Sequence, residues 1–155
     1  QFYFESPKQP LLRDGGEDTG AENNSSTIFL LETDGHRALF TGDAGKAALE
    51  AAWWHAFTQG ILLGEVDFLQ VPHHGSRRNV SRKILNSIRA KTAFVSTPGS
   101  PTTKHPSQMV INYLNTIGSK VYCTNGRSLR HHRNAPKRDR WNAATPRPFV
   151  PLYLA

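Results

Sequence analysis

The chain has 155 residues, 37% hydrophobic and 20% charged, which is length enough for one domain with a buried core and the composition of a soluble globular protein. No apolar run approaches the roughly 20 residues of a membrane helix, no charged-then-apolar leader opens the chain, and the single cysteine, Cys123, excludes an internal disulfide and a cysteine-based zinc knuckle. Residues 1–70 hold four basic and eleven acidic side chains, and residues 71–155 hold fifteen basic and one acidic, Asp139, for a net charge of +7. Such asymmetry turns the second half toward an anionic partner (nucleic acid or another phosphate) or toward an acidic remainder of the protein. A start at Gln1 rather than Met is expected of a piece of a longer or processed chain, and the lone thiol fits a reducing, cytoplasmic setting.

Residues 5–26, rich in Pro, Gly, Asp, Glu, Asn and Ser, read as a loop or mobile insert, so residues 1–26 are set apart from the domain. Ile28 to Thr33 and Arg37 to Thr41 are short apolar runs around Asp34-Gly35, the pattern of a tight hairpin. The Ala-rich stretch Lys46 to Phe57 predicts a helix. Within it Trp53 and Trp54 are adjacent and face different sides, one toward the core and one outward, where the remainder of the protein would meet it. Val66 to Val71, broken only by Asp67 and Gln70, predicts a buried strand. Val80, Ile84, Leu85 and Ile88 fall at helical spacing, and Thr92 to Thr97 forms a strand ending in the breaker cluster Pro98 to Thr103. Ser107 opens a helix as N-cap, with Val110, Ile111, Leu114 and Ile117 on one face and Gly118 as its stop. Lys120 to Cys123 is a strand, Asn125-Gly126 a turn, and Ser128 to His132 its expected partner strand. Residues 27–133 thus read as an α/β layered domain, and residues 134–155 as a basic, Pro-rich tail or irregular wrap.

Three loops carry the chemistry because each follows a predicted strand and each holds a ligand-type side chain: Thr41-Gly42-Asp43, Val71-Pro72-His73-His74-Gly75-Ser76 and Thr103-Lys104-His105-Pro106. A borderline dication takes carboxylate oxygen and neutral imidazole on backbone that does not move, and the carboxyl ends of parallel strands bring such groups together. Simpler roles stand beside these: Asp43 as the N-cap of the following helix, His105 as a structural residue before Pro106, and His73 and His74 as ordinary loop histidines. His36 and His55 read as surface or core side chains. Arg130-His131-His132-Arg133 reads as a basic patch, since flanking arginines repel a cation.

Asn23-Asn24-Ser25-Ser26, two strands, Gly42-Asp43, the Pro-His-His-Gly-Ser loop, a further strand and then His105-Pro106 before a helix together resemble one branch of the metallo-β-lactamase superfamily. That branch includes the competence-channel (ComEC-type) hydrolase domain and related phosphodiesterases, and the resemblance covers about residues 23–132. It implies half of an αββα sandwich, a mixed sheet with helices packed on it. It implies zinc or manganese, one or two ions, with Asp43 and His74 as metal residues and His73 and His105 at the catalytic cleft. Ser76 and Arg77 are then the substrate-phosphate contacts. Exchange of the roles of His73 and His74 stays open.

The departures from that pattern are as informative as the match. The family's His-X-His-X-Asp-His run is absent, and Asn24 stands near the place where many members carry a further histidine. Zinc sites in enzymes hold three protein ligands and an open position, whereas Asp43 and His74 supply two. The expectation is the C-terminal half of a metal-dependent hydrolase of phosphodiesters or nucleic acid, completed by an upstream half on the same or another chain. The alternative is a catalytically degenerate module serving as a nucleic-acid- or protein-binding scaffold.

Overall fold

The computed structural model describes residues 12–100, 104–132, 135–136 and 138–151. Residues 1–11 of the expected loop, the end of the breaker cluster with Thr103, Arg133 of the basic patch, and parts of the tail lie outside the described residues.

A one-turn helix, α1 (Ala21–Asn24), precedes the hairpin of β1 (Phe29–Thr33) and β2 (His36–Phe40). These strands pair antiparallel from Phe29↔Phe40 to Thr33↔His36. Asp34 and Gly35 between them both take left-handed backbone, φ 49° and 73°, the geometry a two-residue hairpin of this twist needs. Then follow α2 (Lys46–Thr58), β3 (Phe68–Gln70), α3 (Arg82–Ile88), β4 (Thr92–Val95), α4 (Gln108–Thr116) and β5 (Lys120–Cys123). The five strands lie in the order β1-β2-β3-β4-β5, with β2 to β5 all parallel, so the mixed α/β architecture expected from the sequence is the one found. Each parallel step passes through one helix. The three helices α2, α3 and α4 bury residues in one cluster with the same strand residues, as crossovers of a single hand between successive neighbours would place them on one face of the sheet.

Leu39, Leu69, Ala93, Val95 and Val121 fill that face and are at most 1% exposed, packed with Leu49, Ile84, Leu85, Ile88, Val110, Ile111 and Leu114 of the helices. Alternation along the strands sends Phe40, Phe68, Phe94 and Tyr122 to the other face. There their rings, with Phe29, form a ladder across all five strands at centroid spacings of 4.8, 5.5, 5.3 and 5.1 Å. On α2, Trp53 packs against the core while Trp54 is 63% exposed, the division that their adjacency predicts.

Two local expectations need correction, and a third, the N-cap of α4, holds in position. Ser128 to His132 forms no strand, because the Asn125-Gly126 turn folds onto the end of β4 instead of reversing beside β5. Gly126 N–H donates to the Thr97 carbonyl at 2.9 Å, and any side chain at Gly99 would meet the Asn125 carbonyl oxygen at 2.3 Å. The β5 backbone is met from elsewhere, by Arg147 N–H on the Val121 carbonyl at 2.7 Å. Ser107 does stand at the N-cap of α4, but its hydroxyl makes no capping bond there. Asp43 does not cap α2: the N-cap is Gly45, and the carboxylate of distant Asp18 takes the Lys46 and Ala47 N–H groups at 2.9 and 3.1 Å.

Candidate active site

The loops after β2 and β3 are stitched by one side chain. Gln70, the polar break in the apolar run of β3, accepts from Thr41 N–H and Gly42 N–H through Oε1 at 2.9 and 2.8 Å. Its Nε2 donates to the Gly42 and Val71 carbonyls at 3.2 and 2.9 Å. His73 N–H then donates to the Gly42 carbonyl at 3.1 Å, so the Gly42-Asp43 and His73-His74 turns are neighbours through their backbones. Asp43 is half-buried. Its N–H donates to Ser26 Oγ at 3.1 Å, and its carbonyl accepts from the buried Asn79 side chain at 2.9 Å.

His73, His74 and Gly75 take left-handed backbone in succession, φ 44°, 56° and 75°. For the two histidines such backbone costs on the order of 1 kcal/mol each or more, a strain that proteins keep at functional turns. At Gly75 a side chain would be strained at that φ, and its Cβ would press on Val95 at 3.0 Å and Pro106 at 3.1 Å. The turn thereby splits the two imidazoles, whose ring centroids are 5.8 Å apart. His73 Nδ1 faces the Asn23 amide nitrogen at 3.1 Å; that amide is a donor, which assigns the His73 proton to Nε2. His74 Nδ1 donates to the Ser96 carbonyl at 2.7 Å, so in the neutral tautomer this bond selects the lone pair sits on Nε2. The two rings therefore offer opposite chemistry, a donor at His73 and an acceptor at His74.

His105, joined to Pro106 through a cis peptide, brings its ring to 5.6 Å from that of His73. Burial, and then the neighbouring imidazoles of His73 and His74, lower its pKa below the ordinary histidine value, so it is neutral at pH 7. His73, His105, Ser76 and Arg77 line one cleft of about 820 Å³ together with Arg78 and Lys104, opposite a wall that includes Asp18 and Thr19. Ser76 is 3% exposed and its oxygen accepts from Arg78 N–H at 3.2 Å, which leaves the hydroxyl hydrogen to be shared with the cleft. Asp43 and His74 are not among the residues lining that cleft. The sequence grouped six residues; four share the cleft, and the other two sit in the turns beside it.

Asp18 and Asn79 position this site without having been singled out by the sequence, and Asn23 and Gln70, which the sequence marked only as part of a motif and as a polar break, do so as well. Burial alone would raise the Asp18 pKa, but N–H groups of Ala47, Thr19 and Lys46 and the Asn24 side chain outweigh it and hold the carboxyl below its ordinary value. Among the described residues no group of three His, Cys, Asp or Glu side chains is placed to hold a metal ion, and no helix is long and apolar enough to cross a membrane.

With this geometry in hand, two curated proteins are similar to the chain. It is 29% identical over 133 residues to ComE operon protein 3 of Bacillus subtilis (strain 168), a match covering 86% of this chain and 16% of that protein. It is 33% identical over 103 residues to Recombination protein 2 of Haemophilus influenzae (strain ATCC 51907 / DSM 11121 / KW20 / Rd), covering 66% of this chain and 12% of that protein. The chain thus spans less than a fifth of the length of either relative. No family model matches it, and no solved structure does.

Proposed function

We propose that the chain is the C-terminal half of a metallo-β-lactamase-like hydrolase of phosphodiesters, with nucleic acid as substrate. The observation that carries this reading is the convergence of His73, His105, Ser76 and Arg77 on one basic cleft, beside the turn that holds Gly42 and Asp43. Of the two relatives, one is named for recombination, a process on DNA, and the other for the ComE operon, in line with the ComEC-type branch whose motifs the chain resembles.

Whether the residues present fit zinc or manganese is answered by the donor set. His74 has the arrangement of a metal-ligating imidazole, Nδ1 fixed by a backbone carbonyl and Nε2 available, and Asp43 supplies a carboxylate in the adjoining turn. These two donors fit part of a site; the remaining ligands belong to an upstream half. An ion held there supplies Lewis-acid neutralisation of charge on phosphate oxygen. The chain's own side chains do the rest. His73 Nε2–H, Ser76 Oγ–H and the Arg77 guanidinium donate to the phosphate oxygens, and neutral His105 stands at the cleft to orient a leaving oxygen.

The incomplete donor set also favours a second reading, a degenerate module that binds without cutting. Metal content separates the two. The longer protein should carry one or two zinc or manganese ions per chain by mass spectrometry, reduced in His74→Ala and Asp43→Ala, while the 155-residue chain alone should bind either ion weakly by calorimetry. A longer protein that holds no divalent ion under any loading condition removes the hydrolase reading and leaves the scaffold.

A further inference from the structure

Outside the cleft, the described residues bring several arginines and an indole together beyond β5. Trp141 is 44% exposed, and the guanidinium carbons of Arg130 and Arg138 lie 4.5 and 5.1 Å from its ring centroid. Beside it is a concavity of about 320 Å³ lined by Ser128, Leu129, Arg130, Arg140, Asn142 and Ala144. This is no loose tail. Ala144 N–H donates to the Arg130 carbonyl at 2.9 Å, Arg147 N–H to the Val121 carbonyl of β5 at 2.7 Å, and Val150 N–H to Asn112 of α4 at 3.0 Å.

The charges here are uncompensated. Among the described residues Arg130, Arg138 and Arg140 take part in no ion pair, and Asp139, the acid between the last two, is exposed and pairs with neither. Both guanidinium carbons lie within cation–π range of the indole, an attraction that leaves their N–H forks without a carboxylate partner and the ring 44% exposed. Like charges gathered without a counter-charge repel one another, and an anion reaching these forks removes that repulsion. A carboxylate peptide would satisfy the charge alone. The exposed part of the indole, the guanidinium planes and the amide and hydroxyl of Asn142 and Ser128 match a ligand that also has flat rings and polar edges.

We propose that this patch binds single-stranded nucleic acid, with backbone phosphates on Arg130, Arg138 and Arg140 and an unpaired base against Trp141. The inference rests on the reading above that the chain acts on nucleic acid. It adds a second binding surface that holds the strand away from the cleft. Single strands are selected because a base can lie on the indole only when it is not paired.

The test is fluorescence anisotropy of a labelled oligothymidine and of a duplex of equal length, titrated with the full chain across a range of salt. Trp141→Ala should lower single-strand affinity about 5- to 100-fold, the worth of one stacked base, whereas Trp141→Phe keeps an aromatic face and should stay within about threefold of the parent. Duplex affinity should change little in either. Replacing Arg130 and Arg138 together by alanine should flatten the single-strand salt slope by about 0.7 for each phosphate that is no longer neutralised. Unchanged single-strand affinity in Trp141→Ala, with circular dichroism showing a folded protein, overturns the inference. So does an equal fall for duplex and single strand, or displacement of the strand by polyglutamate as readily as by unlabelled oligothymidine. Salt-dependent binding that ignores Trp141 sinks this inference alone. A parent chain that binds neither nucleic acid at any salt sinks it together with the reading on which it rests.

Discussion

The two faces of the sheet are both apolar, but they are finished differently. On the helix side Leu39, Leu69, Ala93, Val95 and Val121 are sealed by three helices to 1% exposure or less. On the other side Phe40, Phe68 and Phe94 remain half-buried, and Phe29 and Leu31 at the β1 edge are 52% and 49% exposed. The first face is a completed core. The second is a row of large rings that find one another across the strands; Tyr122 at the β5 end is buried, with the His131 ring 4.8 Å away, while the rings from β1 to β4 keep water contact, as a surface built to be covered would. That contrast supports a half-domain reading without any metal ligand being involved.

The contrast sets the order of expected effects. Leu69→Ala, on the sealed face, should lower the unfolding free energy in urea by about 2–5 kcal/mol, for the burial removed plus the cavity left behind. Phe68→Ala, beside it on the other face, should cost about 1–3 kcal/mol, since the ring is half in water but joins two neighbours in the ladder. Phe29→Ala should change chain stability by about 0.5 kcal/mol or less, and should matter more in the longer protein if the face is covered there. Equal losses for Leu69→Ala and Phe29→Ala would erase the distinction between the faces.

An effect between those of Phe68→Ala and Phe29→Ala belongs to the cap of α2. Asp18→Ala should cost about 1 kcal/mol, the usual worth of an N-terminal side-chain acceptor, and Asp18→Asn, which keeps one acceptor oxygen, should cost less. Its pH dependence has a definite sign. The folded-state pKa of Asp18 is depressed, so the stabilisation is present above the ordinary value of 3.8 and is lost as pH falls toward and through the folded value. The parent should therefore lose stability on acidification below about pH 4 more steeply than Asp18→Asn. Superimposable acid limbs would show that the carboxylate does not hold the helix.

The same contrast explains what the sequence discloses. Elements whose residues alternate or recur against a nearby core were legible: the hairpin at Asp34-Gly35, the runs of β3 to β5, and the helical spacing of α3 and α4. Ser128 to His132 misled because a turn signal at Asn125-Gly126 says that the chain bends, not which neighbour it bends toward. At the site, Gly-Asp and Pro-His-His-Gly-Ser were visible as local patterns. Asp18 was not, and Asn23 stood in a motif without its use being readable, because a carboxylate capping a helix 28 residues onward and an amide orienting a ring 50 residues onward leave no periodic trace. Gln70 had a signal, an amide inside an otherwise apolar strand, whose purpose only the folded loops disclose.

If the two turns and the cleft beside them cut a phosphodiester, the longer protein loaded with zinc or manganese should cleave a labelled single-stranded oligonucleotide. The decisive comparison sets it beside its Asp43→Asn and His74→Ala variants, with binding followed in the same samples. Cleavage by the parent is expected, with a loss of about 100-fold or more in each variant and strand binding largely retained, because the side chains proposed for the phosphate and those proposed for the metal are different. Cleavage at the parental rate in both variants, or a metal-loaded parent that binds the strand and never cuts it, would contradict the proposed hydrolysis.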